Sequence, residues 1–174
     1  MDTSLSIYEI ENLIAKSKDY NYIKNIVAYN VIGESENLRI GHECDVLVCS
    51  KAGYLTEIEI KRSWADFLAD FAKDHDHSSE LIKNLYYCVP LCLKDKVIEF
   101  LRNVPEDRKN DFRYSAGVIT YSEDGVLTTW CVARPNWIAK KLFIEQRFEM
   151  ARLEAMRVVK LKDRIVKMEK SRVV

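Results

Sequence analysis

The residues best suited to chemistry lie in one short stretch, His42 to Ser63, which reads HECDVLVCSKAGYLTEIEIKRS. Asp45 stands at the head of an apolar run. Thirteen intervening residues separate it from Glu59 in the alternation Glu57-Ile58-Glu59-Ile60-Lys61. Side chains alternate between the two faces of a strand, so Ile58 and Ile60 are expected to face a core, with Glu57, Glu59 and Lys61 on the other face. A turn at Gly53 pairs the two segments as a hairpin and brings Asp45 towards Glu59 or Glu57. Carboxylates a few ångströms apart repel unless one is protonated or a cation lies between them. Oxygen-only ligation by two or three acids suits Mg²⁺ or Mn²⁺ rather than zinc. Lys61, two residues after Glu59, can meet a phosphate oxygen or orient a water beside such an ion.

The surrounding sequence must supply the elements that hold these groups. In TSLSIYEIENLIAK, Ile7, Ile10, Leu13 and Ile14 recur at helical spacing, with Ser4 or Ser6 as the cap. Asn25 to Ile32 reads as a strand, and Gly33 to Asn37 as a turn. CDVLVC and YLTEIEIK are further strands. Ser63 caps the helix WADFLADFAK, whose stripe of Trp64, Phe67, Leu68 and Phe71 reads as core. LYYCV is a strand ending at Pro90, with Tyr86 and Tyr87 on alternate faces, one buried and one towards the surface. LKDKVIEFLRN is a helix. SAGVITY and VLTTWCV form a hairpin at Asp124-Gly125. Pro135 and Asn136 open a long helix, expected from about Trp137 to about Lys170. The order α-β-β-β-α-β-α-β-β-α predicts an α/β fold, a mixed sheet flanked by helices. Residues 1–135 are read as one domain and 136–174 as a long basic helix that packs on it or projects from it.

The chain of 174 residues, 48% hydrophobic, is long enough for one packed domain, and its formal net charge of zero gives no overall pull towards nucleic acid. The charge is unevenly placed, however. Residues 151–174 hold eight Lys or Arg and three acids, a net of +5, which leaves −5 on the remainder. Such an asymmetry suits a polyanionic partner. The five cysteines form no CxxC pair and read as small apolar residues in a reducing compartment. There is no apolar run long enough for a membrane span, and the acidic beginning MDTSLSIYEIEN lacks the layout of a signal peptide, so a cytoplasmic protein is expected.

Asp45, thirteen residues and Glu59-x-Lys61, on adjacent strands followed by a helix, resembles the core of the PD-(D/E)xK phosphodiesterase superfamily. That superfamily includes restriction endonucleases, Holliday-junction resolvases and DNA-repair nucleases. The wording EIEIKRSWADFLADFAKDHDH…LYYCVP is similar to small stand-alone members known as MmcB-like DNA-repair proteins. Cys44 stands where the family often has proline. The resemblance covers about half the chain and implies a restriction-endonuclease-like αβββαβ core, as in the order read from residue 4 to residue 90. It implies a metal-dependent deoxyribonuclease. Asp45, Glu59 and the backbone carbonyl of Ile60 would hold Mg²⁺ or Mn²⁺, and Lys61 would activate water. It further implies a glutamate on the first helix, for which Glu11 is preferred to Glu9, and a phosphate contact from Lys73 at the end of the second helix.

The other charged groups read more plainly. Glu57 and Glu43 share faces with Glu59 and Asp45; they read first as sheet-edge charges, and second as groups that support or replace a metal ligand. Lys73 to His77, KDHDH, reads as the polar end of a helix rather than a metal site, with His75 and His77 weaker candidates for phosphate contact. Lys160, Lys162, Arg164, Lys167, Lys170 and Arg172 of the last helix can each meet phosphate. The expected partner is DNA, with no membrane, and a homodimer would suit cutting both strands. The alternative is a nuclease-like fold that binds or assembles without hydrolysis.

Overall fold

The computed structural model describes residues 5–35 and 38–171. Ser4 and Arg172 therefore lie outside the described residues, as do 36 and 37 of the expected turn. Helix α1 spans Ile7–Lys16 and is closed by a capping box. The Ser6 N–H donates to Glu9 Oε2 at 2.7 Å, and the Glu9 N–H donates to Ser6 Oγ. Strand β1 runs over Ile26–Ser35 and β2 over Leu38–Cys49, both longer than their apolar runs suggest. Then follow β3 (Leu55–Ile60), α2 (Trp64–Phe71), β4 (Ile82–Pro90), α3 (Lys94–Arg102), β5 (Gly117–Tyr121), β6 (Leu127–Cys131) and α4 (Ile144–Ser171).

The six strands form one sheet in sequence order. The pairs β1–β2, β2–β3 and β5–β6 are antiparallel, whereas β3–β4 and β4–β5 are parallel, bridged by α2 and α3. Parallel central strands need both faces covered. On one face Ile10 and Ile14 of α1 pack with Val46, Val48, Ile58, Ile60, Cys88 and Ile119. On the other, Phe67 and Phe71 of α2 and Val97 and Leu101 of α3 pack with Tyr87, Val89 and Val118. Leu142 and Met150 close a third cluster against Ala28, Leu47 and Leu55. The architecture is the α/β mixed sheet expected.

Four local differences matter. Residues 137–143 are not helical. Asn136 ties this segment to the start of β4 and the residues before it, through its N–H to the Lys83 carbonyl and its amide to those of Ser79 and Ile82, so α4 starts only at Ile144. Leu68 is exposed, whereas Asp70, three residues after Phe67, takes the buried position. Tyr86 and Tyr87 are both buried, because β4 is central and has no free face. At Asn30, φ is +43°, a left-handed conformation that asparagine tolerates. The Tyr29 N–H donates to Glu154 Oε2 and the Asn30 carbonyl accepts from Arg157, so α4 docks on β1 at this irregularity.

Candidate functional site

The β2–β3 ladder runs from Cys49↔Leu55 to Val46↔Ile58 and stops there. Asp45 and Glu59 stand just beyond its end, where side chains replace ladder bonds. The Ile60 N–H donates to Asp45 Oδ2 at 2.8 Å, and the Asp45 N–H donates to Glu59 Oε1 at 3.2 Å. Lys61 continues β3 by donating its N–H to the Cys88 carbonyl. Its ammonium donates to Glu59 Oε2 at 2.8 Å and to Asp70 Oδ1 at 3.0 Å. Asp45, Glu59 and Lys61 thus meet at the opening between two strands. The Ile58 and Ile60 side chains face α1.

Burial raises the Asp45 carboxyl above its usual range, against the opposing pull of the Ile60 N–H, Lys61 and Lys73. Burial, reinforced by Asp45 and Glu57, lifts Glu59 to about 7, although Lys61 opposes it. For Lys61, burial favours the neutral amine, but Glu59 and Asp70 win and raise it. Burial thus acts in the same direction on both carboxyl groups, disfavouring their charged forms. A hard cation held by these oxygens would displace the Glu59 proton, so calorimetry with Mg²⁺ across pH 6–8 in buffers of different ionisation enthalpy should show proton release and an affinity that rises with pH through about 7.

Glu11 and Glu9 separate clearly. Glu9 is exposed and committed to the capping box. Glu11 is buried, accepts from the Asn30 amide at 3.3 Å, and is raised by burial, with the Asp45 charge contributing. Lys73 reaches Asp70 Oδ1 at 2.9 Å with its side chain half exposed.

Glu57 is not a sheet-edge charge: β3 is central, and Glu57 is 0% exposed. Nor is HDH a polar tail. His77 is also fully buried, at a φ of +61°. Its Nδ1 lies 2.7 Å from Glu57 Oε1 and its Nε2 2.9 Å from Asp70 Oδ2. A ring facing two carboxylates donates from both nitrogens and is an imidazolium. Burial opposes that charge, but Asp70 and Glu57 raise His77 to about 10. Burial would likewise raise Glu57, yet bonds from His42 and His77 hold it at about 2.

Asp70, which no sequence motif singles out, is the hub. It receives His77, Lys61, Lys73 and, at 2.8 Å, the Tyr87 hydroxyl. Its signal is its spacing, an acid at a core position of an apolar stripe. His42 Nε2 lies 2.9 Å from Glu57 Oε1, and the His75 and His77 rings stand 5.3 and 4.7 Å from the His42 ring. All three histidines of the chain thus gather here. The acidic and histidine groups lie close enough to hold a metal.

A cavity of about 470 Å³ opens beside Glu11, lined by Tyr8, Asn30, Arg157, Lys160 and Arg164. Lys162 and Lys167 are exposed on α4 but do not line it. Among the described residues no helix is long and apolar enough to cross a membrane.

No family model and no curated protein matches the chain. Among solved structures, the SPO1766 protein of unknown function from Silicibacter pomeroyi is similar over 84% of this chain and 83% of its own, at a TM-score of 0.52 and 16% identity. At that identity the likeness speaks to the fold alone.

Proposed function

We propose that the protein is a metal-dependent deoxyribonuclease of the PD-(D/E)xK type. The observation that carries the reading is the convergence of Asp45, Glu59 and Lys61 at the end of the β2–β3 ladder, with both carboxyl groups raised by burial. Asp45, Glu59 and the Ile60 carbonyl are the oxygen donors for Mg²⁺ or Mn²⁺, a set that suits hard cations. Such an ion supplies water activation and charge neutralisation at the scissile phosphate. Lys61 keeps its charge in this buried setting and offers it to a phosphate oxygen or to the attacking water. Asp70 and Glu59 fix its ammonium. Glu11 of α1, buried and within the field of Asp45, would accept a proton or orient a water. Lys73, half exposed and paired with Asp70, would turn to meet a flanking phosphate.

The groove beside Glu11 supports a path for the substrate backbone, since Arg157, Lys160 and Arg164 line it. A Lys160→Glu, Arg164→Glu double variant should weaken DNA binding and reduce the salt slope by roughly two, about 0.9 for each phosphate no longer neutralised. Lys162→Glu, outside the groove, should do less. Fluorescence anisotropy at several salt concentrations checks both.

The deciding experiment is incubation with plasmid, single-stranded, flap and four-way-junction DNA plus Mn²⁺. Cleavage by the wild type and its loss in Asp45→Asn and Lys61→Ala is the expected result. Cleavage retained by both variants would come from another source and reject the site. Salt-sensitive binding with no cleavage of any substrate would replace the reading with that of a binding module.

A further inference from the structure

We propose that His42, Cys44 and Glu57 form a second cation site, for a borderline transition ion such as Zn²⁺, distinct from the oxygen-donor site at Asp45 and Glu59. A ligand nitrogen of His42, the Cys44 sulfur and a Glu57 carboxylate oxygen all lie within 4.8 Å of one another. The mixed nitrogen, sulfur and oxygen donor set favours zinc over magnesium. Two donors on a tetrahedral zinc ion stand about 3.3 Å apart, from metal–ligand bonds of about 2.0 Å. The 2.9 Å between His42 Nε2 and Glu57 Oε1 is an ordinary hydrogen bond in the metal-free chain, and a bound ion would widen it slightly towards that separation.

A second observation points the same way. Glu57 Oε1 receives both His42 and His77, whereas Oε2 is buried without a hydrogen-bond partner, alone in that respect among the described residues. The His77 ring balances the charge of this carboxylate through Oε1, but a buried oxygen left without a hydrogen bond is costly, and the neighbouring Cys44 thiol is the group that faces Glu57. His77 is not the ligand, although Glu57, Glu59 and His77 also cluster, because both its nitrogens are committed to Glu57 and Asp70. The His42 ring, by contrast, meets a single carboxylate, that of Glu57. Three protein donors leave one position for water. His75, partly exposed and edge-on to His42 at 5.3 Å, stands at the solvent side.

The site is a property of the fold and holds whether or not the protein cuts DNA. Its test is Co²⁺ titration of the metal-free full chain, followed by absorption. The expected result is a near-ultraviolet thiolate-to-cobalt charge-transfer band with visible bands of four-coordinate cobalt, bleached by equimolar Zn²⁺ and untouched by millimolar Mg²⁺. Cys44→Ser should abolish the charge-transfer band, and His42→Gln should weaken Co²⁺ affinity at least about tenfold. Asp45→Asn should leave the band in place. If Cys44→Ser fails to fold, Cys44→Ala decides, since it removes the donor and keeps the site apolar. A wild type without the band, a band that survives loss of Cys44, or a band that Mg²⁺ removes would each overturn the assignment.

Discussion

Asp45→Asn should lower Mn²⁺-dependent DNA cleavage by about 10³-fold or more while leaving the fold and DNA binding nearly unchanged. The substitution is close to isosteric. Its amide oxygen still accepts the Ile60 N–H that now reaches Asp45 Oδ2 at 2.8 Å, so the strand end keeps its closure. What is lost is a charge at the point where two carboxylates would share a cation. A thousandfold loss corresponds to about 4 kcal/mol of transition-state stabilisation, a reasonable share for one charged ligand. Lys61→Ala should be as damaging but less clean, because it leaves Glu59 and Asp70 facing each other without their shared ammonium. Rates from a supercoiled-plasmid nicking assay, read beside anisotropy and circular dichroism, check the split. Nicking by Asp45→Asn at the wild-type rate would end the proposal. A melting curve above the assay temperature shows that any loss of activity comes from the charge and not from unfolding.

The strands and helices around this site were legible because their periodicity is local. The alternation in EIEIK placed Ile58 and Ile60 on the core face, and the order of elements implied the mixed sheet. Periodicity does not say how many layers cover a strand. Glu57 read as an edge charge because carboxylates are common on open faces, yet the parallel β3–β4–β5 centre leaves no open face. The sequence already favours Glu11 over Glu9, and the Ser6–Glu9 capping box supplies the physical reason, with Glu9 committed to the start of the helix. His77 and Asp70 were hidden for a different reason. A buried charge is tolerated only with partners, and the partners of these two lie on different strands, helices and connections that no local periodicity links. The late start of α4 likewise depends on Asn136 binding the carbonyls of Ser79 and Ile82.

Those four converging partners make Asp70 the residue whose loss should cost the fold most. Asp70→Ala is expected to destabilise the protein by about 3–5 kcal/mol, the usual effect of removing one member of a buried charge network. For a domain of this size that is a fall in Tm on the order of 10 °C. The reason is what remains. Without Asp70, Lys61 keeps only Glu59, Tyr87 loses its acceptor, and His77 keeps one carboxylate at a left-handed backbone position. Asp70→Asn should cost less, since its oxygen still accepts from Tyr87 or Lys61. The pH dependence identifies the cause. His77 has its folded pKa raised from 6.5 to about 10, so its contribution is complete below about 6.5 and is lost as pH rises towards about 10. The stability gap between wild type and His77→Gln, measured by urea unfolding with chelator present, should therefore be largest near pH 6 and narrow steadily up to pH 10. A gap that stays constant over that range would mean that His77 acts by shape alone, and that the charge on its ring does not help to hold Glu57 and Asp70 in place.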